Sequence, residues 1–227
     1  MTDFVHLHLH TEYSLLDGAV RLLQVVPDPN DPKKTIKTHP LCDALKARGM
    51  NAVAITDHGN MYGAHTFVSV LRADGIKPII GQEFYVADDM YQKTADVMKK
   101  RYHLILLAKN MTGYKNLMKL SSMAFVDGFY VKPRIDFKRI KEHSEGLICL
   151  SACLAGQIPR LLLEGKYEEA KAVAIEMRDT FAPGDFYIEL QDHHLPEDRI
   201  VMNPLVQIAR EIGVKVVATN DVHYIEK

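Results

Sequence analysis

Cysteine is scarce in this chain. Its 227 residues hold three, Cys42, Cys149 and Cys153. An odd number at wide spacing builds no disulfide framework, so at least one thiol is free and a reducing, cytoplasmic location is expected. Long apolar runs are missing too. No stretch is long enough to cross a bilayer, and the opening MTDFVHLHLHTEYS lacks the basic start and apolar run of a targeting signal, so no membrane partner is expected. Nor is either charge in excess, since 28 Lys and Arg stand against 29 Asp and Glu for a formal charge of -1. Holding nucleic acid by charge alone needs a basic patch or stripe, so any affinity for DNA must be local. With no internal repeat or linker and 47% apolar residues, a single domain over residues 1–227 is expected.

What is present is alternation. Short β-rich runs and helical patterns follow one another along the chain, the signature of βα units around a largely parallel sheet or barrel. Seven strands are expected, at Asp3 to His8, Ala52 to Thr56, Pro78 to Val86, His103 to Ala108, Leu147 to Ser151, Phe186 to Leu190 and Lys215 to Thr219. Helical stripes run through Tyr114, Leu117, Met118, Ser121 and Phe125, through Tyr167, Ala170, Ala174, Met177 and Phe181, and through Val201, Leu205, Ile208, Ala209 and Ile212. Gly213 is a helix stop, and Pro204 starts or kinks the last helix. Leu41, Ala44 and Leu45 begin a helix that Gly49 ends, and Pro27 to Lys34 reads as an exposed loop.

The chemistry lies in His, Asp, Glu and Cys near strand ends. His6, His8 and His10 alternate with Val5, Leu7 and Leu9, so an extended strand would project all three imidazoles from one face. Taken alone, that pattern describes a solvated strand face equally well. It is joined, however, by Asp57 and His58 in ITDHGN, Glu83 in IIGQEF, Cys153 in LSACLAG, and Asp221 with His223 in ATNDVHY. A parallel barrel gathers the C-terminal ends of its strands at one rim, where α/β folds place their chemistry. His103 opens its strand instead of closing it. Either it is structural, or that strand is reversed in a hairpin with EFYVA through the connection from Asp88 to Arg101.

HLHLHTEYSLLDG, ITDHGN, GQEFYVA, YHLILLAKNMTGYKNLMKLSS, FYVKPRID, HSEGLICLSACLAG, FYIELQDH and VVATNDVHY together resemble the polymerase and histidinol phosphatase (PHP) family. Within it they look like the branch at the N-terminus of bacterial replicative DNA polymerase alpha subunits. The departure lies mainly in Pro27 to Pro40, which is longer and more polar. The resemblance implies a distorted (βα)7 barrel with a trinuclear metal centre, and a barrel that runs on past Lys227, so that the last unit here is incomplete. It assigns His8, His10, Glu83 and Asp221 to one ion and to catalysis. A second ion would be shared by Glu83, His103 and Cys153, and a third would be held by Asp17, His58 and His223, while His6 is not a ligand.

Histidine and thiolate donors favour zinc or manganese over iron or an all-oxygen magnesium site. Lys132 and Arg134 are candidates for substrate phosphate, although a solvated surface pair would read the same. Glu189, His193 and His194 are candidates for supporting ligands or lining the rim. Cys149 is expected in the core, and His39, His65 and His143 at the surface. For function the resemblance implies a 3′ to 5′ exonuclease acting on a primer terminus. Its partners would be the remaining polymerase domains and a proofreading protein of the replisome. A small-molecule phosphatase and a metal-stabilised docking module are the alternatives.

Overall fold

The computed structural model describes residues 4–94 and 100–226. The first element is a hairpin of β1 (Gln24–Asp28) and β2 (Asp31–Thr38), with Gln24 opposite Thr38. Valine, threonine and isoleucine supply its strand preference, and Asp28 accepts a bond from the Asn30 amide at 2.8 Å to turn the chain. This corrects the exposed loop expected from Pro27 to Lys34, of which only Pro29 and Asn30 lie between the two strands.

The main sheet has the order β3 (Ala52–Ile55), β4 (Lys77–Ala87), β5 (Tyr102–Ala108), β7 (Leu147–Leu150), β8 (Phe186–Leu190) and β9 (Lys215–Ala218), with β6 (Arg134–Asp136) paired to β4. Its pairs are parallel except at β5, which is antiparallel to both β4 and β7. Strand β5 is therefore the reversed one, and Tyr85 stands opposite His103. Of the connection that reverses it, residues 95–99 lie outside the described residues.

The sheet curls, and the segment expected as a first strand spans the gap between its ends. That segment is irregular, with His6 bridging Val53 on β3 and Leu9 bridging Val222 after β9. Asp3, the first residue of the expected strand, lies outside the described residues. The chain bends at His8, so the alternation breaks there and His6 does not share a face with the other two histidines. It lines a separate apolar cavity of about 350 Å³ with Phe4, Leu9 and Leu41.

Helices α1 (Pro40–Ala47), α2 (Ala64–Ala73), α3 (Met111–Val126), α4 (Phe137–Glu142), α5 (Gln157–Leu163), α6 (Tyr167–Thr180) and α7 (Pro196–Ile212) complete the described elements. The stripe of α7 is buried at all five expected positions, and Gly213 ends the helix at φ 71°. Pro204 lies inside α7 and does not start it. On α3 the buried line is Leu117, Leu120, Ser121 and Ala124, while Met118 is exposed, so the apolar face is rotated from the expected one. The cores lie on either side of the sheet, and Ile105, Leu107 and Leu150 fill the inside of the curl. Each such side chain contributes about 1.5–3 kcal/mol by leaving water.

Candidate metal centre

The turns that carry the donors are pinned by small polar groups. Thr56 Oγ1 accepts from the Leu9 amide at 2.8 Å and donates to the Leu9 carbonyl at 3.1 Å, locking the N-terminal segment to the end of β3. Asp57 accepts from the Thr11 amide at 2.6 Å, the Thr11 hydroxyl at 2.8 Å and the Ser14 hydroxyl at 2.7 Å. It thereby organises the turn leading to Asp17. After β9, the chain pairs with the N-terminal segment, with His10 N donating to Val222 O at 2.7 Å and Val222 N to His8 O at 3.1 Å.

Two further contacts aim the histidines. His8 Nδ1 donates to Glu189 Oε1 at 2.7 Å, and Glu189 is itself held by the Thr219 hydroxyl and by Gln191 Nε2 at 2.9 Å. Ser14 already gives its proton to Asp57, so His10 Nδ1, 3.1 Å from Ser14 Oγ, can only donate to it. With both Nδ1 atoms acting as donors, the Nε2 atoms of neutral His8 and His10 turn lone pairs toward one another across 3.1 Å. Asp221 Oδ1 lies 3.1 Å from each. Such a triangle is repulsive unless a positive charge stands within it. Its edges are near the roughly 3.3 Å that tetrahedral bonds of about 2.0–2.1 Å would set.

Glu83 is the hub. Fully buried, it reaches His8 at 3.3 Å, His10 at 3.9 Å, His103 at 2.9 Å and, in close contact, His58 Nδ1. Neither of its oxygens, nor Asp221 Oδ1 or His58 Nδ1, meets a partner in hydrogen-bond geometry. Buried groups of this kind normally do. Asp17 joins His58 at 2.9 Å to His223 at 3.3 Å, and Cys153 Sγ lies 3.8 Å from His103 Nδ1. All nine residues of the implied ligand set thus form one connected cup. Three compact triads lie within the cup: His8, His10 and Asp221; His58, Glu83 and His103; and His10, His58 and His223; a fourth among the described residues, His39, Cys42 and Asp74, stands apart from it. Cys153 stands at the margin of the second.

The charges are strongly perturbed. Burial pushes Glu83 up, but His103, His58 and His8 outweigh it and hold the carboxyl well below its usual range. Burial likewise opposes ionisation of Asp221, and His8 and His10 hold it down to about 2. For His8, burial favours the neutral ring, yet Glu189 and Asp221 raise its pKa well above 6.5. Burial and the charges of Glu83 and Asp221 push the Cys153 thiol well above 9. Without ions, then, the cup keeps protons that a cation would displace.

Arg134 requires a correction. It is wholly buried and donates to the carbonyls of Gly128 at 3.2 Å, Met90 at 3.2 Å and Gln92 at 2.6 Å. Its Nε and Nη2 hold the chain together, and the side chain, Nη1 included, is buried away from any substrate. Lys132 does stand at the cup, with Nζ 5.5 Å from the Tyr85 ring centre, and Arg101 lies over the same ring at 5.6 Å. That ring stacks against His58 at 6.0 Å and meets His103 edge-on at 5.3 Å. His193 supports the Asn220 carbonyl at 2.9 Å, while His194 is exposed. His39 is only partly exposed, against Asp74. The supporting roles of Thr11, Ser14, Thr219 and Gln191 and the placement of Arg101 were missed from sequence, because nothing in their spacing marks them.

A carboxylate-centred cup of histidines at the end of a curled α/β sheet defines a class. The family model described as PHP domain matches residues 33–193, and the chain belongs to that family. Its relatives include the DNA polymerase III alpha subunits of Treponema pallidum, 47% identical over 227 residues, and of Thermus aquaticus, 44% identical over 233 residues. Each alignment covers 99% of this chain, but the chain spans only 18% and 17% of those relatives' lengths. Among solved structures, a protein described as a metal-dependent phosphoesterase from Bifidobacterium adolescentis matches with a TM-score of 0.55 at 14% identity, covering 98% of this chain and 88% of that one. An amidohydrolase from Chromobacterium violaceum matches at 0.58 and 13%, covering 96% and 87%. These two establish the fold as PHP-like. No helix among the described residues is long and apolar enough to cross a membrane.

Proposed function

We propose that the chain is the phosphoesterase module of a replicative polymerase alpha subunit, removing nucleotides from DNA 3′ ends as a proofreading exonuclease. The observation that carries this reading is the set of inward-facing donors around Glu83, too many and too poorly matched as hydrogen bonds to serve packing alone. His8, His10, Glu83 and Asp221 hold the first ion and form the catalytic set; Glu83, His103 and Cys153 hold the second; Asp17, His58 and His223 hold the third. Five histidines and a thiol favour zinc or manganese. Divalent ions there supply positive charge for the phosphate oxygens and acidify water to a nucleophile at neutral pH. Glu189 and Ser14 hold the two imidazoles in the tautomer that binds cations, and Lys132, with Arg101 in place of Arg134, meets the phosphate.

The test is a primer–template labelled at the primer's 5′ end, incubated with zinc or manganese and either the parent or the His10→Ala, Asp221→Asn double variant. Stepwise shortening by the parent alone is expected. Equal behaviour would refute the exonuclease. If added metal then still raised the parent's melting temperature, the cup would be a stabilising clamp for docking the other polymerase domains; turnover of small phosphomonoesters would instead indicate a phosphatase.

A further inference from the structure

Three aromatic side chains mark a path leading away from the cup. Tyr62, four residues past His58, is 58% exposed, and Phe129 is 48% exposed. Half-buried Phe125 lies between them, 6.0 Å from Tyr62 and stacked on Phe129 at 6.3 Å and 18°. The strip is tied to the cup through Asn60, whose Nδ2 donates to the His58 carbonyl at 3.0 Å and whose Oδ1 accepts from the Tyr62 amide at 3.0 Å. The turn at Gly59 is packed so closely that an added Cβ would meet Pro133 at 2.8 Å and Tyr85 at 3.1 Å. From the same loop Lys132 extends over Tyr85, whose ring lies against His58. Val131 in that loop is held at φ 64°, a strain that a β-branched residue keeps only where its surroundings over-determine it.

We infer that this strip is the track for unpaired nucleotides at the 3′ end of a single DNA strand, an inference that rests on the phosphodiesterase reading above. Bases stack on Phe129 and Tyr62, and Lys132 meets the phosphates entering the cup. The chemistry favours this occupant over a protein surface for two reasons. Aromatic faces receive any base without a fixed pattern of donors, and in a chain with a net charge of -1 stacking near the local cation Lys132 supplies affinity that overall charge does not. Paired bases hide their faces within the duplex. The track therefore selects frayed or mispaired ends.

The test is fluorescence anisotropy with a labelled oligothymidylate about 12 nucleotides long, phosphorothioate-linked at its 3′ end so that it stays intact. The Tyr62→Ala, Phe129→Ala double variant is expected to bind about 30-fold or more weakly than the parent. Phe129→Tyr binds as the parent does, and so does Val126→Ser, which removes an exposed apolar side chain beside the strip. In parallel, p-nitrophenyl thymidine 5′-phosphate, too small to reach the strip, is cleaved equally by parent and double variant. Equal oligonucleotide binding by those two, or an equal loss in Val126→Ser, overturns the track and makes the strip a protein-docking surface. If the parent leaves the small diester intact while the double variant still loses oligonucleotide affinity, the phosphodiesterase reading fails and the track stands.

Discussion

Replacing Glu189 with glutamine leaves shape and volume nearly unchanged but takes a negative charge from behind His8. The 2.7 Å contact from His8 Nδ1 changes from a charge-assisted hydrogen bond to a neutral one. Charge-assisted bonds contribute about 1.5–3 kcal/mol against about 0.5–1.5 kcal/mol for neutral ones, so His8 is held more loosely by roughly 1–1.5 kcal/mol. Its ring also becomes less basic at Nε2. Together these effects predict a loss of about 10- to 100-fold in metal affinity, or about 1.4–2.7 kcal/mol. A pH series adds a second signature. Because the carboxylate raises the His8 pKa, the parent must release a proton to bind an ion, whereas the variant releases less. The deficit should thus be greatest at alkaline pH and shrink as pH falls. Competition against a chromogenic zinc chelator measures it. Affinities within threefold of each other at alkaline pH would refute the claim that Glu189 positions His8 for an ion.

Arg134→Met leaves three carbonyls, two of them buried, without their donor and should cost about 2–4 kcal/mol in a denaturant melt, with unchanged turnover per folded molecule. Cys153→Ser should weaken zinc about tenfold more than manganese, read by competitive titration of both ions. His8 contributes stability to the ion-free protein that is full below its ordinary pKa of 6.5 and disappears as pH rises through its raised folded value. The melting-temperature gain from added zinc should therefore widen from about pH 6 to pH 9, and a constant gain would contradict the proton count. Gly113→Ala places a Cβ 1.8 Å from the Gly146 carbonyl oxygen and should cost at least about 1–3 kcal/mol in the same melt.

Much of this architecture was legible because donors recurring after β-rich runs have few packing explanations when they occur together. Direction was not. Periodicity is the same whichever way a strand runs, so the residues themselves left open whether His103 was structural or on a reversed strand, and the antiparallel pairing of β5 decides it. The bend at His8 was equally hidden, because HLHLH alternates perfectly in one dimension while backbone pairing to Val53 and Val222 decides where its rings point. The hairpin of β1 and β2 escaped notice because Pro and Asp near its tip masked the strand-forming residues on either side. Arg134 misled for a physical reason: an arginine beside a lysine and a proline reads as surface, and only carbonyls brought from Met90 and Gln92 make its burial affordable. The hydroxyls of Thr11, Ser14 and Thr219 matter through where they stand, which residue type alone does not disclose.

The pairing of the first segment with Val222 also has a timetable. His8 and Val222 are separated by 214 positions (222 - 8), and their bonds join the two sides of the cup. At a synthesis rate of about 5–20 residues per second, His8 waits roughly 10 to 45 s for that partner to be made. Closing so long a loop also costs about 5 kcal/mol of chain entropy, which the other contacts must already outweigh. On a nascent chain, therefore, the triad of His8, His10 and Asp221 cannot assemble until the end of the sequence is made, whereas His58, Glu83 and His103 are all present much earlier. The two sides of the cup thus come together in sequence, the Glu83 side first and the His8 side last.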